Sequence, residues 1–129
     1  VIDIDHFKDL NDEFGHPVGD ETLRAVAHLL QSEMRPHDFL FRYGGEEFVV
    51  ILPETTLKGA YVLGERFRRA VQRAPWKHRP ITVSVGAATA EETMESPTDL
   101  IQAGDGALYH AKKNGRNRVS TTDDVTAMG

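Results

Sequence analysis

The chain of 129 residues has no cysteine, which excludes disulfides, thiolate metal sites and cysteine nucleophiles and fits a reducing compartment. No apolar run approaches the ~20 residues of a membrane helix, and no signal peptide is visible at the start. Membrane contact by this segment is not expected, and a cytoplasmic location is. The six histidines lack paired metal-ligand spacing, so a zinc hydrolase is excluded. A basic excess is missing too: 15 Lys and Arg stand against 20 Asp and Glu, a formal net charge of -5. Long nucleic acid, whose non-specific binding rests on a positive surface, is not an expected partner. An acidic protein still binds nucleotides where metal ions neutralise the phosphates at a carboxylate cluster.

What is present is ordinary for a globular domain, with 40% hydrophobic and 27% charged residues, and the length suits one domain with its own core. Val1 begins inside what reads as a strand, with no Met and no cap, so the chain is expected to be a piece of a longer protein.

The stretch Arg42-Tyr43-Gly44-Gly45-Glu46-Glu47-Phe48 organises the reading. An aromatic-rich run, Phe39 to Tyr43, precedes it, and an apolar run, Phe48 to Leu52, follows and stops at Pro53. Both predict strands. Joined by Gly44-Gly45, they predict a tight hairpin with a primed two-residue turn, whose positive φ only residues such as glycine adopt cheaply. That turn accounts for the glycines and leaves the acids unexplained. Glu46 and Glu47 place two carboxylates beside bare backbone, where a phosphate or a metal can approach.

Elsewhere, Val1-Ile2-Asp3-Ile4-Asp5 alternates, with Ile2 and Ile4 on one face and Asp3 and Asp5 on the other. Phe7, Leu10 and Phe14 share a face of a short helix that Gly15 ends. From Asp20 to Met34, Leu23, Val26, Ala27, Leu30 and Met34 recur at helical spacing, and Pro36 closes that helix. Thr55-Thr56 can cap a helix carrying Ala60, Leu63, Phe67 and Val71 inward. Residues 81–87 alternate as a strand, and Ser96-Pro97 starts a helix that ends at Asn114-Gly115. Arg118-Val119 adds a short edge strand, and the polar residues 121–129 are expected to fray. Strands and helices alternating around an internal hairpin predict an α+β sheet with helices on one face.

Three motifs carry a resemblance: Arg42-Tyr43-Gly44-Gly45-Glu46-Glu47-Phe48; the run Asp3-Ile4-Asp5-His6-Phe7-Lys8 through Asn11-Asp12, Gly15-His16 and Gly19-Asp20; and Ala111-Lys112-Lys113-Asn114-Gly115-Arg116-Asn117. Together they resemble the GGDEF family of bacterial diguanylate cyclases, in its Gly-Gly-Glu-Glu-Phe form, over nearly all of Val1 to Val119. The resemblance implies a ferredoxin-like nucleotidyl-cyclase palm, with a central, mainly antiparallel sheet and helices packed around it. It makes residues 1–120 a catalytic domain that condenses two GTP into cyclic di-GMP and two pyrophosphates.

By resemblance, Asp3, the Ile4 carbonyl and Glu46 bind metal, and Glu47 assists metal binding or deprotonates the attacking hydroxyl. The metal is Mg2+, with Mn2+ as a substitute; oxygen ligands and bridging to phosphates suit it. Asn11 and Asp20 read guanine, Gly44 and Gly45 border the substrate, and Lys8, Lys112 and Arg116 neutralise the triphosphate. Arg35 and Asp38 match the family's Arg-x-x-Asp inhibitory site for cyclic di-GMP, to which Arg66 adds a further arginine. One signature holds one GTP, so turnover needs a homodimer, and an upstream sensory domain is expected in the parent protein. Family members also carry, before the first strand, a helix and an Asp-x-Leu-Thr-Gly-Leu-x-Asn-Arg-Arg stretch. This chain lacks both, which reads as truncation and bears on the activity of the piece. One rival is a non-catalytic cyclic di-GMP receptor, disfavoured because the signature acids are all present. The other is a palm using another nucleotide, which Asp20 and the full signature disfavour.

Overall fold

A computed structural model describes residues 1–128. It contains β1 (Ile2–Ile4), α1 (Phe7–Phe14), α2 (His16–Glu33), β2 (Phe39–Arg42), β3 (Glu47–Ile51), α3 (Leu57–Arg73), β4 (Val83–Ala87), α4 (Pro97–Lys113), β5 (Val119–Thr121) and α5 (Thr122–Met128). The strands form one sheet in the order β2-β3-β1-β4-β5. All neighbours are antiparallel except β4 and β5, which run parallel across the α4 crossover.

Alternation along the strands decides which helices cover which face. Ile2, Ile4, Phe48, Val83 and Val85 point to one side and form the main core with Leu10, Leu23, Val26, Leu30, Leu63, Phe67 and Val71 from α1, α2 and α3. On that side Gly64 of α3 sits over Val85 and Val119. On the other side α4 lies so close to Gly86 that a Cβ there would collide with the Gly104 carbonyl and the Leu108 amide. Helices therefore cover both faces, not the single face that the order of elements alone suggests. Asp3, Ser84 and Gly86 share the α4 side, which carries the acids of β1 and β3 toward one helix.

Helix boundaries follow local chemistry. Thr56 caps α3 by accepting from the Gly59 amide at 3.1 Å. At the start of α4 the Asp99 carboxylate accepts from the Glu95 amide at 2.8 Å and the Ser96 amide at 3.3 Å. Helix α2 begins at His16, four residues before the apolar periodicity does, because Gly15 at φ 91° breaks the chain and Pro17 is preset for a first turn.

Two further expectations are corrected. Arg42 pairs with Phe48 and β3 begins at Glu47, so the connection spans Tyr43 to Glu46 and is no two-residue primed turn. Of the described glycines only Gly15 and Gly115 take positive φ. The Glu47 carbonyl accepts from the Tyr43 amide at 2.8 Å and the Gly44 amide at 3.3 Å. From the side, the Arg42 guanidinium donates to the Gly44 and Gly45 carbonyls at 3.1 and 2.6 Å, closing the loop through a side chain. The tail expected to fray instead ends β5 at Thr121 and forms α5, with Gly129 outside the described residues. Its start is capped: Asp124 accepts from the Thr121 amide at 2.7 Å, and Thr121 Oγ1 accepts from the Asp123 amide at 3.2 Å.

Candidate active site

The β1–β3 ladder sets Asp3 opposite Glu47, and the Ile4 amide donates to the Glu46 carbonyl at 3.2 Å. Asp3 thus lies across the ladder from Glu47 and near Glu46, where the hairpin meets the first strand. Asp3 is only 6% exposed and is partnered by Lys112 of α4, whose Nζ donates to Asp3 Oδ2 at 2.7 Å. Burial raises the Asp3 carboxyl above its usual range; Lys112 opposes this, while Glu46 and Asp5 add to it. Burial also raises Glu47, helped by the carboxyls of Asp105 and Asp3 and opposed by Lys112, to about 7.

Beside this ladder lies a cleft of about 230 Å³, lined by Asp3, Ile4, Asp5, His6, Phe7, Lys8, Asp9, Glu46, Lys112 and Arg116. Acids form one wall and Lys8, Lys112 and Arg116 supply cations. Lys8 is almost fully exposed, 3.7 Å from Asp12, and is free to swing toward an anion. Arg116 is brought round by a left-handed backbone at φ 60°. Gly44 and Gly45 are required neither by conformation nor by packing: a Cβ on Gly45 would meet nothing within 4 Å, and one on Gly44 only Glu47 atoms at 3.6 Å and beyond. The bare backbone is therefore open to a molecule approaching from outside.

At the far side of α1, Asn11 Oδ1 is buried without a partner. It rests on Gly19, where any Cβ would collide with the Asn11 side chain and come within 3.2 Å of Phe7. Asn11 is thus held next to the residue preceding Asp20, which is exposed. An orphaned acceptor in such a place is one that a ligand N–H can satisfy. Phe7 itself packs against the core.

Arg35, Asp38 and Arg66 do not line the cleft. The buried Asp38 carboxylate accepts from the Arg35 amide at 2.9 Å and from Arg35 Nη2 at 2.9 Å. Arg35 Nη2 also donates to Thr55 Oγ1 at 2.7 Å. The guanidinium holds the Asp38 carboxyl below its usual range, and burial opposes it. Arg66 donates to Glu33 Oε2 at 2.9 Å, two residues before Arg35, which brings the two arginines to the same end of α2.

Asp105 was not singled out in the sequence. It lies on α4 one heptad before Lys112, and that spacing puts both on the face turned to Glu47 and Asp3. Nor was a role for the Asp5 carboxylate, which ties β1 to β4 and to the turn after α4. Among the described residues no three His, Cys, Asp or Glu side chains form a ready-made metal cage. None of the helices is long and apolar enough to cross a membrane among those residues.

The sheet presents acids from its first strand and its hairpin beside a basic rim, an arrangement suited to a metal ion with a phosphate group. Residues 1–118 match the family described as diguanylate cyclase, GGDEF domain, and the chain belongs to it. It is 48% identical to diguanylate cyclase DgcM of Escherichia coli (strain K12) over 120 residues, 92% of this chain but only 29% of that protein. Among solved structures it is similar to the active GGEEF domain of a diguanylate cyclase from Vibrio cholerae. The TM-score is 0.89 at 39% identity, covering 94% of this chain and 79% of that one. It is also similar to the GGDEF domain of DgcB from Caulobacter crescentus in complex with c-di-GMP, with a TM-score of 0.88 at 38% identity over 95% of this chain and 75% of that one.

Proposed function

We propose that this chain is the catalytic domain, residues 1–120, of a diguanylate cyclase that joins two GTP into cyclic di-GMP and releases two pyrophosphates. The observation that carries this reading is the β1–β3 ladder: it holds Asp3 against the paired glutamates of an open, glycine-lined loop, with Lys112 and Arg116 at the rim.

The donor set fits a hard divalent cation. Asp3, the Ile4 carbonyl, Glu46 and Glu47 offer oxygen only, and Mg2+ characteristically binds through one or two carboxylates plus substrate phosphates. Bound there, Mg2+ would lower the pKa of the attacking 3′-hydroxyl and stabilise charge on the leaving pyrophosphate. Lys112, released from Asp3, and Arg116 and Lys8 neutralise the β- and γ-phosphates. Gly44 and Gly45 let phosphate oxygens reach the loop backbone. Glu47, paired with Asp3 across the ladder, would assist in holding the metal or in taking the proton of the hydroxyl.

Asn11 and Asp20 read the base. Guanine offers N1–H and N2–H donors to an acceptor pair, whereas adenine has an acceptor at N1 and only a C–H at position 2. A site built to be satisfied by those donors rejects the analogue lacking them by large factors. GTP is therefore the substrate and ATP is not; equal turnover of the two would sink the assignment.

Each domain holds one GTP, so product forms between two domains facing each other. Cyclic di-GMP inhibits by binding at Arg35, Asp38 and Arg66, where guanidinium and carboxylate groups suit phosphate and the guanine edge. The test is cyclic di-GMP formation from GTP and Mg2+ by the full parent protein, with Glu47→Ala as the control that should abolish it.

A further inference from the structure

Asp5 is almost fully buried, at 7% exposure, yet three donors converge on its carboxylate. Ser84 Oγ donates to Oδ1 at 2.7 Å, Thr82 Oγ1 to Oδ2 at 2.7 Å, and the backbone amide of Asn117 to Oδ2 at 3.0 Å. The first two come from β4 and its approach. The third comes from the turn that follows α4, more than a hundred residues away in the chain. That turn is unusual: Arg116 and Asn117 are consecutive non-glycine residues in the left-handed region, at φ 60° and 46°. L-residues avoid this conformation and keep it only where surrounding contacts over-determine it.

The contacts that do so are visible. The Arg116 amide donates to the Ala111 carbonyl at 3.0 Å, the Asn117 amide is held by Asp5, and Asn117 Oδ1 accepts from Arg68 Nη1 of α3 at 3.1 Å. Arg68 is itself fixed by Glu65 at 2.8 and 3.0 Å. The turn is gripped by the sheet on one side and by α3 on the other. Arg116 of this turn lines the cleft.

We infer that Asp5 is a positioning residue, which holds the Arg116–Asn117 turn so that the Arg116 guanidinium faces the phosphates of the bound nucleotide. This rests on the reading of the cleft as a triphosphate site. Asp5 lines the same cleft as Asp3 but differs from it in chemistry. Three of the roughly four acceptor positions of the Asp5 carboxylate are already filled by strong donors, whereas Asp3 Oδ2 has Lys112 as its side-chain partner. Asp5 thus acts through Arg116 and not as a ligand for a cation. Its replacement by Asn sets an amide N–H against one of those donors and loosens the turn.

The experiment is a double-mutant cycle on nucleotide binding, by calorimetry with GTP and with GMP in Mg2+, using the chain as it stands. Asp5→Asn should weaken GTP about tenfold and leave GMP, which lacks the β- and γ-phosphates, within about twofold. In an Arg116→Ala background, Asp5→Asn should add less than about twofold, since residues acting through one group are non-additive. Arg68→Gln, which releases the other side of the turn, should give the same pattern with a smaller loss. It carries the same cycle should Asp5→Asn fail to fold. Equal weakening of GTP and GMP, or full additivity with Arg116→Ala, would overturn the inference while leaving the cleft's assignment intact. A wild-type chain that binds GMP as tightly as GTP would instead overturn the triphosphate reading itself.

Discussion

Glu47 is where folding and chemistry pull on one proton. Burial, Asp105 and Asp3 raise its carboxyl to about 7 in the folded chain, against a usual value of 4.5. The folded state therefore binds more protons than the unfolded state between those values, and stability falls as pH rises through that window. The buried Val1 amine, lowered to about 6, has the opposite dependence, so in metal-free buffer it is the melting temperature of the wild type relative to Glu47→Gln that is expected to drop from pH 5 to pH 7.5, the variant losing that part of the slope. An unchanged slope in the variant would show that the raised carboxyl is not responsible. Adding Mg2+ should also flatten it, because a cation favours the charged form. The acids that pair across strands were legible because each sits in a short local pattern. Asp105 was not: its heptad spacing from Lys112 puts the two on one helix face, but that the face turns to Glu47 emerges only when α4 folds over the sheet.

Between β2 and β3 the structure departs most from what the sequence suggests. Two glycines between strands point to a primed turn, yet the loop closes through the Arg42 guanidinium and its glycines take no positive φ. A side chain that folds back onto backbone carbonyls has no periodic signature. The consequence is testable, because glycines unneeded for conformation should be replaceable without loss of fold. Gly45→Ala is expected to change stability by no more than about 0.5 kcal/mol. It should nevertheless weaken GTP binding at least tenfold, by placing a methyl where phosphate approaches; denaturant melts and calorimetry on one preparation check both. Gly86 is the opposite case. A Cβ there meets backbone of α4, which cannot swing away, so Gly86→Ala should destabilise by about 2–3 kcal/mol or more. The helices with clear apolar stripes were readable, while α5 was not, because a short polar helix set by Thr and Asp caps looks like a frayed tail.

At the scale of the whole molecule, the acid-lined cleft and the proposed inhibitory site at Arg35 and Asp38 are separate places. Arg35 has two tasks on this account: it neutralises the buried Asp38 and it offers a guanidinium to cyclic di-GMP. Arg35→Ala should lower the melting temperature and raise the concentration of cyclic di-GMP needed for half-inhibition at least tenfold. Unchanged inhibition in a folded variant would move the inhibitory site elsewhere. The alternation in β1 and β4 was legible, but the two-sided packing was not: the order of elements suggests helices on one face, and α4 covers the other because Gly86 lets its backbone approach.

The central claim is that the acids at the β1–β3 ladder make cyclic di-GMP. The most direct measurement is product formation from GTP and Mg2+ by the full parent protein, freed of bound cyclic di-GMP, beside its Glu47→Ala variant and beside ATP as substrate. The account predicts cyclic di-GMP from GTP alone, lost in the variant. A folded dimer that binds cyclic di-GMP but forms none, or a Glu47→Ala variant as active as the wild type, would contradict it.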